Sequence, residues 1–211
     1  MSALRHPSDD LLLSHAGGSL GRGPALLVQA HLGVCPVCRG QARRFEAVGG
    51  ALLESLPPAE MAPDALARAL ARIERPEPPE PSPQRRQIAG IDLTEVLGGL
   101  DLGPRRPLGK GLWMREILRE GPGVTYLLGS GPGRRLPRHS HTGMEYVQVL
   151  AGAFTDETGH YGPGDFAQSD DTLVHSPVTD SDGECICLIS AEGPMLMQSL
   201  LGKVAQPLFG L

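Results

Sequence analysis

Aromatic side chains make up only 4% of the 211 residues, so any core must be packed from Leu, Val, Ile and Ala. Segments relying on such cores are marginal without a staple, and a structural metal is a common one. Long apolar runs are also missing: nothing approaches the ~20 consecutive apolar residues that a membrane span needs. The start, MSALRHPSDD, has no charged stretch leading into an apolar segment, so a soluble, cytoplasmic protein is expected. No segment carries a strong positive charge. Basic and acidic residues number 7 and 7 over 1–74, 3 and 5 over 75–104, and 9 and 12 over 105–211, for a net charge of −5. That balance argues against a nucleic-acid face. Cysteine is scarce as well, at four residues, and without an export signal these read as ligands or thiols rather than a disulfide framework.

The length allows one large domain or two small ones, and the pattern favours two. Residues 1–74 read as short helices. Ser8 is placed to cap the first, Asp9 and Asp10 fill its opening turn, and Gly17-Gly18 stop it. A second is expected over roughly 24–32, ending at Gly33, and a third starts with Cys35 as cap and Pro36 at its first position. Gly49-Gly50 predict a kink or break in that third helix, and Pro63-Asp64 open a fourth, DALARALARIE. Residues 75–87, RPEPPEPSPQRRQ, hold five prolines and no large apolar side chain, which predicts an extended spacer across which the halves move independently. A short amphipathic piece, IDLTEVLGGL, follows. From about 105 the chain changes to short apolar runs divided by Gly and Pro, the mark of an all-β barrel or sandwich.

Each half carries a set of metal-ligating side chains. His31, Cys35 and Cys38 have the HxxxCxxC spacing and the donor types that zinc takes tetrahedrally, and a structural site needs a fourth ligand. His6, just before the first helix, and His15, inside it, are the upstream candidates; a helical His15 suits the surface better. A thioredoxin-like redox pair is the alternative for CxxC, but the βαβ surroundings it needs are absent. In the second half, His139 and His141 alternate about Ser140 and so point the same way from a strand, with Glu145 opening the next strand and His175 further on. Three imidazoles and a carboxylate suit zinc or another divalent transition metal. Cys185 and Cys187 share one face of the strand ECICLIS, with Cα atoms about 6.6 Å apart, at the edge of disulfide reach. They are either packed inner-face residues or a pair with a redox or metal role. His160, beside Tyr161, reads as solvated, and Met144 and Met195 as barrel packing.

Two resemblances rest on these residues. His6 followed by His31-x3-Cys35-x2-Cys38 among about four short helices resembles the zinc-binding domain of bacterial anti-sigma factors, which implies His6 as fourth ligand. Gly133-x5-His139-x-His141-x3-Glu145-x6-Gly152 resembles the first cupin motif, and Gly162-Pro163-Gly164-Asp165 with His175 resembles the second, although the Gly-to-His spacing is longer and the terminal Asn is missing. Together the two halves and the spacer are similar to the ChrR family of anti-sigma factors over nearly the whole chain, including the Cys185-x-Cys187 strand and the tail Gln206-Pro207-Leu208-Phe209.

The resemblance implies a small all-α zinc-binding bundle in residues 1–85 and an all-β cupin barrel in 100–205. It implies sequestration of an extracytoplasmic-function sigma factor, with release under oxidative stress such as singlet oxygen acting through the cupin. Leu11, Leu12, Leu66 and Leu70 are the expected exposed contacts on the first and fourth helices. The rival from another class is a metal-dependent cupin enzyme, an oxygenase or isomerase, with the zinc module serving for docking; no general base is evident beside the ligands.

Overall fold

The structure, a computed structural model, describes residues 3–74, 87–88, 91–97 and 100–198. Most of the proline-rich spacer, 75–86, and the tail at 206–209 lie outside the described residues.

Helices α1 (Asp9–Ala16), α2 (Arg22–Val34), α3 (Pro36–Glu54) and α4 (Ala65–Ile73) make up the first part. Ser8 caps α1 by accepting a hydrogen bond from the Leu11 N–H, and Gly17 closes it. α2 begins two residues earlier than expected, with Gly21 at its cap, because Pro24 is tolerated anywhere in a first turn, where its missing N–H costs nothing. The helix also runs through Gly33 to Val34. Cys35 then serves both helices: its N–H bonds to the His31 carbonyl, and its sulfur accepts from the Cys38 N–H at the start of α3. No break occurs at Gly49-Gly50; α3 is continuous, since isolated helical glycines weaken a helix without ending it.

β1 (Gln87–Ile88) pairs with β2 (Ile91–Asp92), and the one-turn α5 (Thr94–Leu97) follows. The second part is β-rich: β3 (Arg106–Gly109), β4 (Leu112–Glu120), β5 (Gly123–Ser130), β6 (His139–His141), β7 (Glu145–Ala151), β8 (Phe154–Asp156), β9 (Gly159–Tyr161), β10 (Phe166–Ser169), β11 (Val178–Thr179), β12 (Cys185–Ala191) and β13 (Met195–Met197). Six of these form a sheet in the order β10-β7-β12-β5-β4-β3, beside smaller sheets β11-β8-β9 and β13-β6, all antiparallel. Gly152, at φ 64°, makes the turn out of β7, where a Cβ would lie 2.4 Å from the Glu184 carbonyl oxygen.

The large sheet is covered on both faces. Its inner face, with Tyr126, Val147, Val149, Cys185, Cys187 and Ile189, packs on Phe154 and Tyr161 of the small sheet. Its outer face carries Leu127, Tyr146, Leu150, Phe166, Ile186 and Leu188, and these join Leu11, Leu12, Leu27, Val28, Cys35, Cys38, Leu93 and Leu97 in one continuous core. β7 and β12 are consequently buried almost along their whole length. The expectation of independently moving halves is therefore corrected: α2 lies against the outer face of the sheet, and the two parts share a hydrophobic core.

The contact is close and polar as well as apolar. At Gly23 of α2 a Cβ would come within 2.4 Å of the Ser190 and Thr125 hydroxyls, so only glycine lets the helix approach this far. The segment before α1 runs along the edge strand β10. Leu4 and Arg5 N–H groups donate to Asp165 Oδ1 (2.6 and 3.0 Å), the Phe166 N–H donates to the Arg5 carbonyl (3.1 Å), and the Ser8 N–H donates to Gln168 Oε1 (2.7 Å). An edge that would otherwise present unpaired backbone groups is thereby covered.

Candidate metal centres

The turn between α2 and α3 brings the first set together. His31 closes α2, Cys35 caps α3, Cys38 lies in its first turn, and His6 arrives on the segment pinned to β10. The donor atoms of His6, His31, Cys35 and Cys38 all lie within 4.8 Å of one another, with His6 exposed and the other three buried. His6 Nδ1 is 3.5 Å from the Cys35 sulfur and 3.4 Å from the Cys38 sulfur. His31 Nδ1 donates towards Gln148 Oε1 (3.1 Å) and the Gly164 carbonyl (3.0 Å), while His31 Nε2 is buried with no hydrogen-bond partner among the described residues. An orphaned imidazole lone pair beside two thiols is the donor set of a zinc site, so the residues fit that ion. Burial, followed by the hydrogen bond and charge of Cys35, pushes the Cys38 thiol up to about 12. Burial lowers His31, with its Gln148 hydrogen bond opposing. A bound cation would reverse the first effect by stabilising thiolate. His15 is half-buried near the end of α1 and stands outside the cluster.

The second set lies inside the β-rich part. β6 carries His139 and His141, the first residue of β7 is Glu145, and His175 reaches the site from an irregular segment bridged to His139 rather than from a strand. The donor atoms of His139, His141 and His175 fall within 4.8 Å of one another. His141 Nε2 is 3.3 Å from His175 Nε2, and Glu145 Oε2 lies 3.2 Å from the first and 4.0 Å from the second. All four side chains are buried. Two of the three far nitrogens are held: His139 Nδ1 donates to the Pro137 carbonyl at 2.7 Å, and His175 Nδ1 to Asp156 Oδ2 at 2.9 Å, while His141 Nδ1 has no hydrogen-bond partner among the described residues. Each of these bonds leaves Nε2 as the free lone pair, as in histidines whose far nitrogen is anchored while the near one faces a metal. Three buried imidazoles converging beside a buried carboxylate are a nitrogen and oxygen donor set, so this set fits a divalent metal too.

Burial lowers His139 to about 4, despite its Pro137 hydrogen bond, and lowers His141 to about 3, helped by the neighbouring imidazoles. Burial likewise raises Glu145 to about 7, against the pull of His175. Burial works against ionisation of Asp156 as well, yet hydrogen bonds from His175 and Thr158 outweigh it and hold that carboxyl below its ordinary value.

A cavity of about 70 Å³ adjoins this cluster, lined by Glu145, His139 and His175 together with Tyr126, Met195, Cys185 and Cys187. The two cysteines are buried, with sulfurs 3.7 Å apart. His160 is exposed and pairs with Asp180 at 3.0 Å.

Sequence reasoning missed Asp156, Gln148 and the Gly164 carbonyl. Asp156 ends β8 in the stretch FTDETGHY, which carries no motif, and Gln148 reads as one polar residue in an apolar strand. A different correction concerns the expected exposed contacts. Leu11 and Leu12 are buried in the shared core, because α1 turns them inward onto α3 and α2, whereas Leu66 and Leu70 on α4 are 70% and 51% exposed. None of the described helices is long and apolar enough to cross a membrane.

Comparison with known proteins agrees with this arrangement. A family model described as the ChrR cupin-like domain matches residues 102–195. The chain is 36% identical over 212 aligned positions to the anti-sigma-E factor ChrR of Cereibacter sphaeroides, covering 99% of both chains. Among solved structures it is similar to the crystal structure of Rhodobacter sphaeroides SigE in complex with the anti-sigma ChrR. That match has a TM-score of 0.76 and 34% identity, over 90% of this chain and all of the matched one.

Proposed function

The chain belongs to the ChrR family of anti-sigma factors, and on that premise we propose that it sequesters an extracytoplasmic-function sigma factor in the cytoplasm and frees it under oxidative stress such as singlet oxygen. The observation that carries the reading is the match along the whole chain to a protein named as an anti-sigma factor, whose relative was crystallised with its sigma factor. A surface supports it. The end of α3, the following loop and α4 expose Leu52, Leu53, Leu56, Leu66, Leu70 and Ile73, and α4 has no buried residue at all. An apolar face of this extent in a folded chain marks a protein-binding site.

In this reading the helical domain, residues 1–85, grips the partner, and the cupin domain, residues 100–205, is the sensor. His6, His31, Cys35 and Cys38 hold a structural zinc that fixes α2 against α3. His139, His141, Glu145 and His175 hold zinc or another divalent metal at the end of an apolar cavity that Cys185 and Cys187, the candidate redox pair, also line. Turning a mostly bound complex into a mostly free one requires about 5.5 kcal/mol of differential stabilisation, which the sensor must supply through the shared core. The family is one of regulators, so the oxygenase or isomerase alternative is set aside.

Affinity capture with the tagged full chain from extract of its own cells tests this. A sigma factor should be retained, and lost both from Cys35→Ser with Cys38→Ser and from Leu66→Asp with Leu70→Asp. His141→Ala should keep capture while blunting release under singlet oxygen. Failure of the unaltered chain to retain a sigma factor would overturn the proposal.

A further inference from the structure

The helical ligand set is not completed by the helical domain. Two of its members are held in place by the β-rich part. His6 lies between Arg5 and Pro7 on the segment whose backbone is bonded to Asp165, Phe166 and Gln168. The His31 ring meets two oxygens across the domain contact, Gln148 Oε1 at 3.1 Å and the Gly164 carbonyl at 3.0 Å. Neither oxygen can donate, so Nδ1 carries the proton and Nε2 is left with its lone pair in the cluster. Gln148 is itself fixed: it is 1% exposed, and its amide nitrogen donates to the Val149 carbonyl at 3.2 Å, which turns the oxygen towards His31.

Position along β7 gives this contact its meaning. Side chains alternate across a strand, and Glu145, Val147 and Val149 face the inner side of the sheet while Tyr146, Gln148 and Leu150 face the helices. Glu145 and Gln148 are three residues apart, about 10 Å along the strand. One short strand thus presents a carboxylate to one ligand set and an amide to the other.

We propose that Gln148 is a positioning residue for the helical metal site, so that the cupin sheet sets the tautomer and ring orientation of His31. This rests on the reading above that the helical cluster holds a metal. Undocking of α2 from the sheet then removes a partner from a ligand as well as apolar contact, and the helical site binds its metal more weakly when the domains part.

The test uses the full chain and cobalt(II) titrated in competition with a chelator. Thiolate-to-cobalt charge transfer reports the helical cluster, because the cupin set offers only nitrogen and oxygen. Gln148→Met, which keeps length and removes the acceptor, should weaken cobalt at the thiolate site about tenfold and shift its ligand-field bands, the Gly164 carbonyl remaining as a single acceptor. Gln148→Glu, which keeps an acceptor oxygen, should retain the affinity and bands of the unaltered chain. Unchanged affinity and bands in Gln148→Met would overturn the proposal, as would equal losses in both variants, which would indicate packing alone. No partner is needed, so failure here leaves sigma-factor capture untouched. Absence of any thiolate band in the unaltered chain would instead remove the metal reading on which the proposal stands.

Discussion

Replacing Gly23 by Ala tests how closely α2 is seated on the sheet. By helix propensity alone the change stabilises, by at most about 1 kcal/mol and less in a first turn. Against this, the new methyl would lie 2.4 Å from both the Ser190 and Thr125 hydroxyls. Those hydroxyls are buried and bonded to one another at 3.1 Å. Rotating them away breaks that bond, at about 1 kcal/mol, and leaves buried oxygens to be satisfied elsewhere. Moving the helix instead opens the shared core, at the ~1–3 kcal/mol typical of overpacking. The net expectation is a loss of about 1–3 kcal/mol, which for a chain of this size lowers the melting temperature by roughly 2–4 °C per kcal/mol. Ser190→Ala in the Gly23→Ala background should recover part of the loss, and the four-variant cycle isolates the coupling. A melting temperature equal to or above that of the unaltered chain, followed by calorimetry on the metal-loaded protein, would refute the close seating and with it the docked arrangement.

Asp156→Asn removes the carboxylate that holds His175 and should cost about tenfold to a hundredfold in cupin metal affinity, read by chelator competition, with the helical site unaffected. Stability of the metal-free chain should fall between pH 7 and 5. His139 and His141, lowered to about 4 and 3, resist protons that the unfolded chain takes up below pH 6.5, so their contribution is present above that pH and lost as it falls. Glu145, raised to about 7, works in the opposite sense between its ordinary 4.5 and 7, but two groups outweigh one. Melting curves across that range check the sign, and His141→Asn should flatten the slope. The hydrogen bond that the Cys187 thiol donates to Cys185, together with burial, pushes Cys187 well above the ordinary thiol range. Cys187 should therefore resist iodoacetamide at pH 7.5 in the folded chain, Cys185 should be shielded by its burial, and both should react after unfolding, as mass spectrometry of the alkylated peptides will tell.

The two candidate donor clusters were legible because metal chemistry restricts both residue type and spacing: HxxxCxxC across a helix junction, and HxH followed by Glu at the start of the next strand. Caps were legible for a similar reason, with Ser8, Cys35 and Pro36 each placed where local hydrogen bonding demands. The spacer misled. Its prolines suggested independence, whereas the sign of docking lay elsewhere, in strands apolar on both faces. CICLISA and EYVQVLA lack the alternation of a sheet with one face in water, and this is how a strand reads when both sides are covered. Asp156 and Gln148 were invisible because a hydrogen bond to a ligand's far nitrogen can come from many residue types at any distance in sequence.

The common core has a bearing on what a protease could achieve. A nick in the polypeptide between residues 74 and 87 would leave two fragments still held by Leu27, Val28, Leu127 and Leu188 and by the hydrogen bonds that residues 4–8 make to Asp165, Phe166 and Gln168. The covalent tie contributes only an effective concentration, so the fragments should remain a non-covalent complex that elutes as one species. Scission of the chain and separation of its two parts are distinct events, and the second is opposed by buried surface that the first does not touch.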